Sequence, residues 1–123
     1  MKILESAENY LETIYMLKEQ KGSVRSIDIA NELGFSKPSV SVAMKNLRSN
    51  GYVVVDEHGM IDLTDLGLEI AGKMFERHTL LTNWLTMLGV SKEAASEDAC
   101  KIEHVISDES FDAIKAHLIK YQK

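Results

Sequence analysis

Gly34-Phe35-Ser36-Lys37-Pro38-Ser39-Val40-Ser41-Val42-Ala43-Met44 holds the only proline of the chain, and where that proline stands decides the fold. A proline in the first turn of a helix gives up no intrahelical hydrogen bond, and a glycine readily closes the helix before it. The spacing therefore predicts a stop at Gly34, a brief turn Gly34-Phe35-Ser36, and a new helix from Pro38 to about Asn50. Val40, Ala43, Met44 and Leu47 form its inner face, while Pro38, Ser39, Ser41, Val42, Lys45, Asn46 and Ser49 project to the other side.

Upstream, Ser26 to Leu33 reads as a short helix, with Ser26 as N-cap, Asp28 in the first turn, and Ile29, Ala30 and Leu33 as an inner stripe. Two helices joined by a short glycine-containing turn make a helix-turn-helix. Downstream, Tyr52-Val53-Val54-Val55-Asp56 is rich in β-branched residues, Glu57-His58-Gly59 reads as a turn, and Met60-Ile61-Asp62-Leu63 can pair back. A hairpin directly after a helix-turn-helix is a wing. His58 at its tip is either a solvated turn residue or one that approaches a phosphate or the minor groove.

Charge supports the same reading. Between Leu33 and Val55 stand Lys37, Lys45 and Arg48 and no acidic residue, in a chain whose net charge is −5. Such a local basic footprint marks nucleic-acid contact, whereas the acidic whole counts against constitutive binding, so DNA binding must be local or conditional. Ser36, Lys37, Pro38, Ser39, Ser41, Val42 and Lys45 are the candidate DNA-binding residues. Hydroxyls and lysines bond phosphates and base edges, and outward Val42 can meet a thymine methyl. An ordinary solvated face is the plainer alternative.

Ser6 to Gln20 carries Tyr10, Leu11, Ile14, Tyr15 and Leu17 at helical spacing. Asn9 and Glu12, an i, i+3 pair, read by default as a solvated edge. From Thr64, an N-cap followed by Asp65, a long helical pattern reaches about Leu88 with Gly89 as its stop. Leu66, Ile70, Met74, Leu81, Trp84, Leu85 and Leu88 supply its apolar stripe, and Gly67 and Gly72 predict a bend or break near His78. The breadth of the stripe around Trp84 points to a dimer interface, with core packing in one subunit as the rival. His78 alone would be a surface or interface histidine.

Ser91 caps a further helix in which Ala94, Ala95, Ala99, Ile102 and Val105 are apolar. Cys100, Glu103 and His104 stand at i, i+3 and i+4, within reach of one bound ion: a metal half-site. The single cysteine forms no internal disulfide and is either a small buried hydrophobe or a functional thiolate. Cys100 as nucleophile with His104 as base would make an enzyme, but no oxyanion motif accompanies them and the zinc-peptidase signature is missing, so the reading is of a non-enzyme. Ser107-Asp108-Glu109 opens the last helix, with Phe111, Ile114, Leu118 and Tyr121 apolar.

A chain of 123 residues holds one modest domain or two very small ones, and dimerisation eases the burial of enough surface. No run of about 18 apolar residues suggests a membrane span, and no signal-peptide pattern opens the chain; the expected location is the cytoplasm.

Glu8-Asn9-Tyr10-Leu11-Glu12-Thr13-Ile14-Tyr15-Met16-Leu17, Asp28-Ile29-Ala30-Asn31-Glu32-Leu33, Pro38-Ser39-Val40-Ser41, Leu63-Thr64-Asp65-Leu66-Gly67, Arg77-His78 and Cys100-Lys101-Ile102-Glu103-His104-Val105-Ile106-Ser107-Asp108-Glu109 follow one another in a chain that resembles the diphtheria toxin repressor and manganese transport regulator family. The resemblance implies a mainly α fold, with an N-terminal winged helix-turn-helix carrying a small β-hairpin wing (residues 1–63) and a helical metal-binding and dimerisation domain (64–123). It implies a metal-dependent repressor of metal uptake genes that binds a roughly palindromic double-stranded DNA operator as a homodimer.

Carried over residue by residue, the ligands are Glu12, His78, Cys100, Glu103 and His104, and the cofactor is Fe(II) or Mn(II). Cys100 matches the iron-responsive branch; Glu12 and His78 match ligand positions of the manganese branch. Asn9 matches neither, and Thr82 and Ser96 stand where the iron branch has ancillary ligands, which implies one well-formed site. Mixed S, N and O donors place Fe(II) slightly ahead. The alternative is a winged-helix transcription factor that answers to an organic ligand or a partner protein.

Overall fold

The computed structural model describes residues 5–121, and the Tyr121 side chain, expected on the last apolar face, lies outside what is described. Six helices and one hairpin follow in order: α1 (Glu5–Lys21), α2 (Ser26–Leu33), α3 (Lys37–Ser49), β1 (Val53–Val55), β2 (Ile61–Leu63), α4 (Asp65–Met87), α5 (Lys92–Val105) and α6 (Asp108–Tyr121). Two compact units divide between Lys73 and Met74, within α4.

The first unit is a winged helix. Leu11, Ile14 and Leu17 of α1, Ile29 and Ala30 of α2, and Val40, Met44 and Leu47 of α3 share one core with Val24, Val53, Ile61 and Ala71. Burial of these side chains drives the assembly, at about 25 cal/mol per Å² of apolar surface. Gly34 ends α2 in the left-handed region at φ 70°, a conformation that suits glycine, and its N–H bonds to the Ala30 carbonyl. Ser36, not foreseen as a cap, accepts the Ser39 N–H at 3.3 Å, and Pro38 lies in the first turn that follows. The α2 cap differs from expectation: Arg25 occupies it and Ser26 is already helical. Asp28 reaches back to accept the Arg25 N–H at 2.9 Å, the return half of a capping box, so the acid three residues on, not a serine hydroxyl, marks this helix start.

β1 and β2 pair antiparallel in the register Val53↔Leu63, Val54↔Asp62 and Val55↔Ile61. Asp56 organises the tip, its carboxylate accepting the N–H groups of His58 and Met60 at 2.8 and 2.9 Å. Those backbone donors, Met60 first, hold its carboxyl below the usual range. An ion pair between Lys18 of α1 and Asp62 of β2 ties the base of the wing to the first helix.

Of the bend or break predicted near His78, the break is absent: α4 is one helix of 23 residues. Thr64 caps it as expected, accepting the Gly67 N–H at 3.1 Å. Gly67 does not weaken this helix so much as allow its position. A Cβ there would lie 2.0 Å from the Tyr52 carbonyl oxygen, so only glycine lets the helix start this close to the chain entering β1. Of the apolar stripe, Met74 and Leu81 are buried, whereas Leu66 and Leu88 are exposed.

In the second unit Leu81, Ala99 and Phe111 form the core of α4, α5 and α6, with Leu80, Trp84, Ile102, Ile106 and Ile114 packed against it. Trp84 is partly buried against this core, so one side of it packs within its own subunit. Val105, expected on the inner face of α5, is 74% exposed, because it sits at the last turn where α5 gives way to the link into α6. Among the described residues no helix is long and apolar enough to cross a membrane.

Candidate metal centre and nucleic-acid interface

Glu103 is the anomaly of the second unit. Its side chain is fully buried, and neither carboxylate oxygen has a hydrogen-bond partner. The His78 imidazole, from α4, brings Nδ1 to 3.5 Å from Oε2; the His104 imidazole, from the next position of α5, brings Nε2 to 3.6 Å from Oε1. Both separations exceed a good N–H···O hydrogen bond. A buried carboxylate left in this state costs several kcal/mol unless a positive charge meets it. His104 is almost as enclosed, with 3% of its side chain exposed, and His78 retains 24%.

An unpartnered carboxylate facing two imidazoles fits a divalent transition ion, which takes oxygen and nitrogen donors together. The donor pair Glu103 and His104 follows from adjacent positions near the end of α5, where Ser91 starts the helix by accepting the Ala94 N–H at 3.3 Å. His78 arrives because α4 continues unbroken past Gly72. Cys100 differs: it is exposed, one helical turn before His104, and does not share the burial of Glu103. Glu12, on α1 of the first unit, is 4% exposed, so the default reading of Asn9 and Glu12 as a solvated edge fails for Glu12; Asn9 is half-buried. Thr82 donates its hydroxyl to the His78 carbonyl at 2.7 Å.

Sequence reasoning missed Arg77. Only 4% exposed, it sends Nη1 to the carbonyls of Glu103 and Ile106, each at 2.9 Å, and Nη2 to the Asp108 carboxylate. Its guanidinium lies 5.3 Å from the centre of the Phe111 ring, a cation–π contact. The available signal was its place in the inner spacing Met74, Arg77, Leu81, where a charge on an apolar stripe requires buried partners.

All seven predicted DNA-contacting residues of the first unit are exposed: Ser36, Lys37, Pro38, Ser39, Ser41, Val42 and Lys45. Val42, 61% exposed, is an aliphatic side chain in the middle of an otherwise polar helix face. The Ser36 and Ser39 hydroxyls are bonded to each other at 2.9 Å, which holds the first turn of α3 in shape. His58 at the wing tip is 72% exposed and 3.5 Å from Glu57.

A winged helix, and a helical unit with a buried imidazole and carboxylate centre, together define a metal-responsive DNA-binding regulator. The family models agree with that class. Residues 2–60 match the N-terminal DNA binding domain of the iron dependent repressors, and residues 64–123 match their metal binding and dimerisation domain. The chain belongs to the iron dependent repressor family, a family of transcriptional regulators.

It is 34% identical over 120 residues to the uncharacterised HTH-type transcriptional regulator MJ0568 of Methanocaldococcus jannaschii, covering 96% of each chain. It is 38% identical over 112 residues to the transcriptional regulator MntR of Salmonella typhimurium, covering 91% of this chain and 71% of that one. Among solved structures, a manganese-dependent transcriptional repressor in complex with manganese matches with a TM-score of 0.82 at 32% identity. That match covers 91% of this chain and 52% of the other, so the chain spans about half the length of the solved protein.

Proposed function

We propose that this chain is a homodimeric, cytoplasmic repressor of metal uptake genes that grips its operator when Fe(II) or Mn(II) is bound. The observation that carries the reading is the buried, unpartnered Glu103 carboxylate facing His78 and His104. Those three residues, with Glu12 from the DNA-binding domain (residues 1–63) and Cys100 as the exposed fifth donor, would hold the ion; residues 64–123 would supply the dimer. A bound dication would supply the positive charge that the buried carboxylate lacks and a common centre for donors on separate helices.

The chain's own residues carry the consequence to DNA. Leu11 and Ile14 flank Glu12 on α1 and share a core with Val40 and Met44 of α3, so fixing Glu12 fixes the recognition helix. Lys18 and Asp62 bring the wing along. Two such units related by the dimer axis would present their α3 faces to major grooves about one helical turn, or a multiple, apart, on a roughly palindromic operator. A coupling of about 1–3 kcal/mol between the sites, roughly 5- to 150-fold in affinity, is typical of such linkage. The activity is binding, with no bond made or broken.

The test is retardation of DNA from the protein's own promoter region in chelator, Fe(II), Mn(II) and Zn(II), for the wild-type protein and for His104→Ala, Cys100→Ala and Val42→Glu. Binding is expected only with metal, lost in His104→Ala, and lost in Val42→Glu with metal uptake intact. Equal binding in chelator and in every metal would contradict the proposal. Cys100→Ala decides whether the exposed thiol belongs to the donor set.

A further inference from the structure

We propose that Arg77 is the positioning residue of this centre: it fixes the last turn of α5 so that the Glu103 carboxylate is held unpartnered in front of the two imidazoles. The inference rests on the reading of Glu103 as a ligand. Three observations on the second unit carry it. First, Arg77 is a buried cation next in sequence to His78 and within bonding distance of Glu103, yet it bonds the Glu103 backbone carbonyl and leaves both carboxylate oxygens alone. An arginine beside a buried glutamate ordinarily forms the bidentate pair, which would satisfy the carboxylate and leave nothing for an ion. Here Nη1 and Nη2 are committed elsewhere.

Second, its other partners straddle the end of α5: the Ile106 carbonyl at the C-cap and the Asp108 carboxylate in the first turn of α6. The C-terminal carbonyls of a helix lack intrahelical donors, so this one side chain supplies what α5 is missing and sets the angle at which α6 leaves. Third, the guanidinium plane is packed against Phe111, a member of the core of the same unit, so the fork is fixed in orientation as well as bonded. The Glu103 carbonyl is the first of these anchors, and His104 lies between it and Ile106. The directions of the Glu103 and His104 side chains follow from a backbone that Arg77 holds at Glu103 and at Ile106.

Lysine cannot reproduce the arrangement, because one ammonium cannot span two carbonyls and a carboxylate with a planar fork. Partners of this kind, which orient a ligand without touching the ion, typically change metal affinity by about 10- to 100-fold. The experiment titrates the full chain with Mn(II) and, separately, with Co(II), recording affinity and the cobalt visible spectrum, for the wild type, Arg77→Lys, Asp108→Asn, Leu118→Ala and Glu103→Gln. Leu118, buried on α6, provides a variant destabilised by a cavity away from the clamp.

Arg77→Lys is expected to lose about tenfold in Mn(II) affinity and to shift the cobalt bands at saturation. Asp108→Asn should show a smaller change in the same direction, and Leu118→Ala should keep both affinity and spectrum. Wild-type affinity and spectrum in Arg77→Lys and Asp108→Asn, or losses in Leu118→Ala equal to theirs, would overturn the proposal and leave Arg77 a packing residue. If Arg77→Lys does not fold, Asp108→Asn against Leu118→Ala decides alone. Glu103→Gln separates the two layers: unchanged metal binding there removes the ligand assignment itself, and the positioning role with it.

Discussion

Asp28 shows how one carboxylate can define an element and tie it to pH. Its carboxyl is held below the usual range by the Arg25 N–H first and by Lys21 second. A folded pKa below the unfolded one means that the stabilisation is present above the unfolded value and is lost as pH falls through the folded one. Asp28→Ala should therefore cost about 1 kcal/mol at pH 7, the ordinary worth of a helix cap. The difference from the wild type should shrink below about pH 4. Urea unfolding at pH 7 and pH 3 measures both, and a gap of the same size at the two values would contradict this account. Arg25 could not be read as the cap from its side chain, which has no acceptor, whereas Asp28 in the first turn was visible in the sequence. Glu12 and Arg77 were the harder cases. Each is a charged side chain that the chain buries, and helical spacing alone cannot separate a charge buried for a purpose from a solvated one.

At the level of elements, α4 was the least legible. Gly67 and Gly72 look alike in the sequence and both predict a weak helix, yet they do different things. A methyl group at position 67 would meet the Tyr52 carbonyl oxygen at 2.0 Å, while position 72 has open space. Gly67→Ala should destabilise the protein by about 1–3 kcal/mol, since the clash with backbone outweighs the gain in helix propensity. Gly72→Ala should instead stabilise it, by up to about 1 kcal/mol. Thermal unfolding of the two variants side by side makes the comparison, and a stabilised Gly67→Ala would show that α4 does not start where it is placed. The helix-turn-helix, by contrast, was legible in all but its two N-caps from Gly34, Pro38 and the inner stripe Val40, Met44, Leu47, because each signal is local. The approach of α4 to the entry of β1 is a contact between segments distant in sequence, and no periodicity records it.

For the molecule as a whole, a net charge of −5 and a basic recognition helix are two halves of one property. The charge keeps the protein off DNA in general, and the exposed face of α3 lets it bind where something else adds affinity. The half-site at Cys100, Glu103 and His104 was visible as a spacing, but its quality was not. The structure encloses Glu103 and His104 and brings His78 to them, while the cysteine that pointed to iron stands exposed. The measurement that bears most directly on this account is the affinity for promoter DNA, followed by fluorescence anisotropy as Mn(II) is raised from chelated to saturating levels, in the wild type and in Glu103→Gln. The account predicts a rise of at least about fivefold in the wild type and a flat, weak response in the variant; a variant that responds to Mn(II) as the wild type does would contradict it.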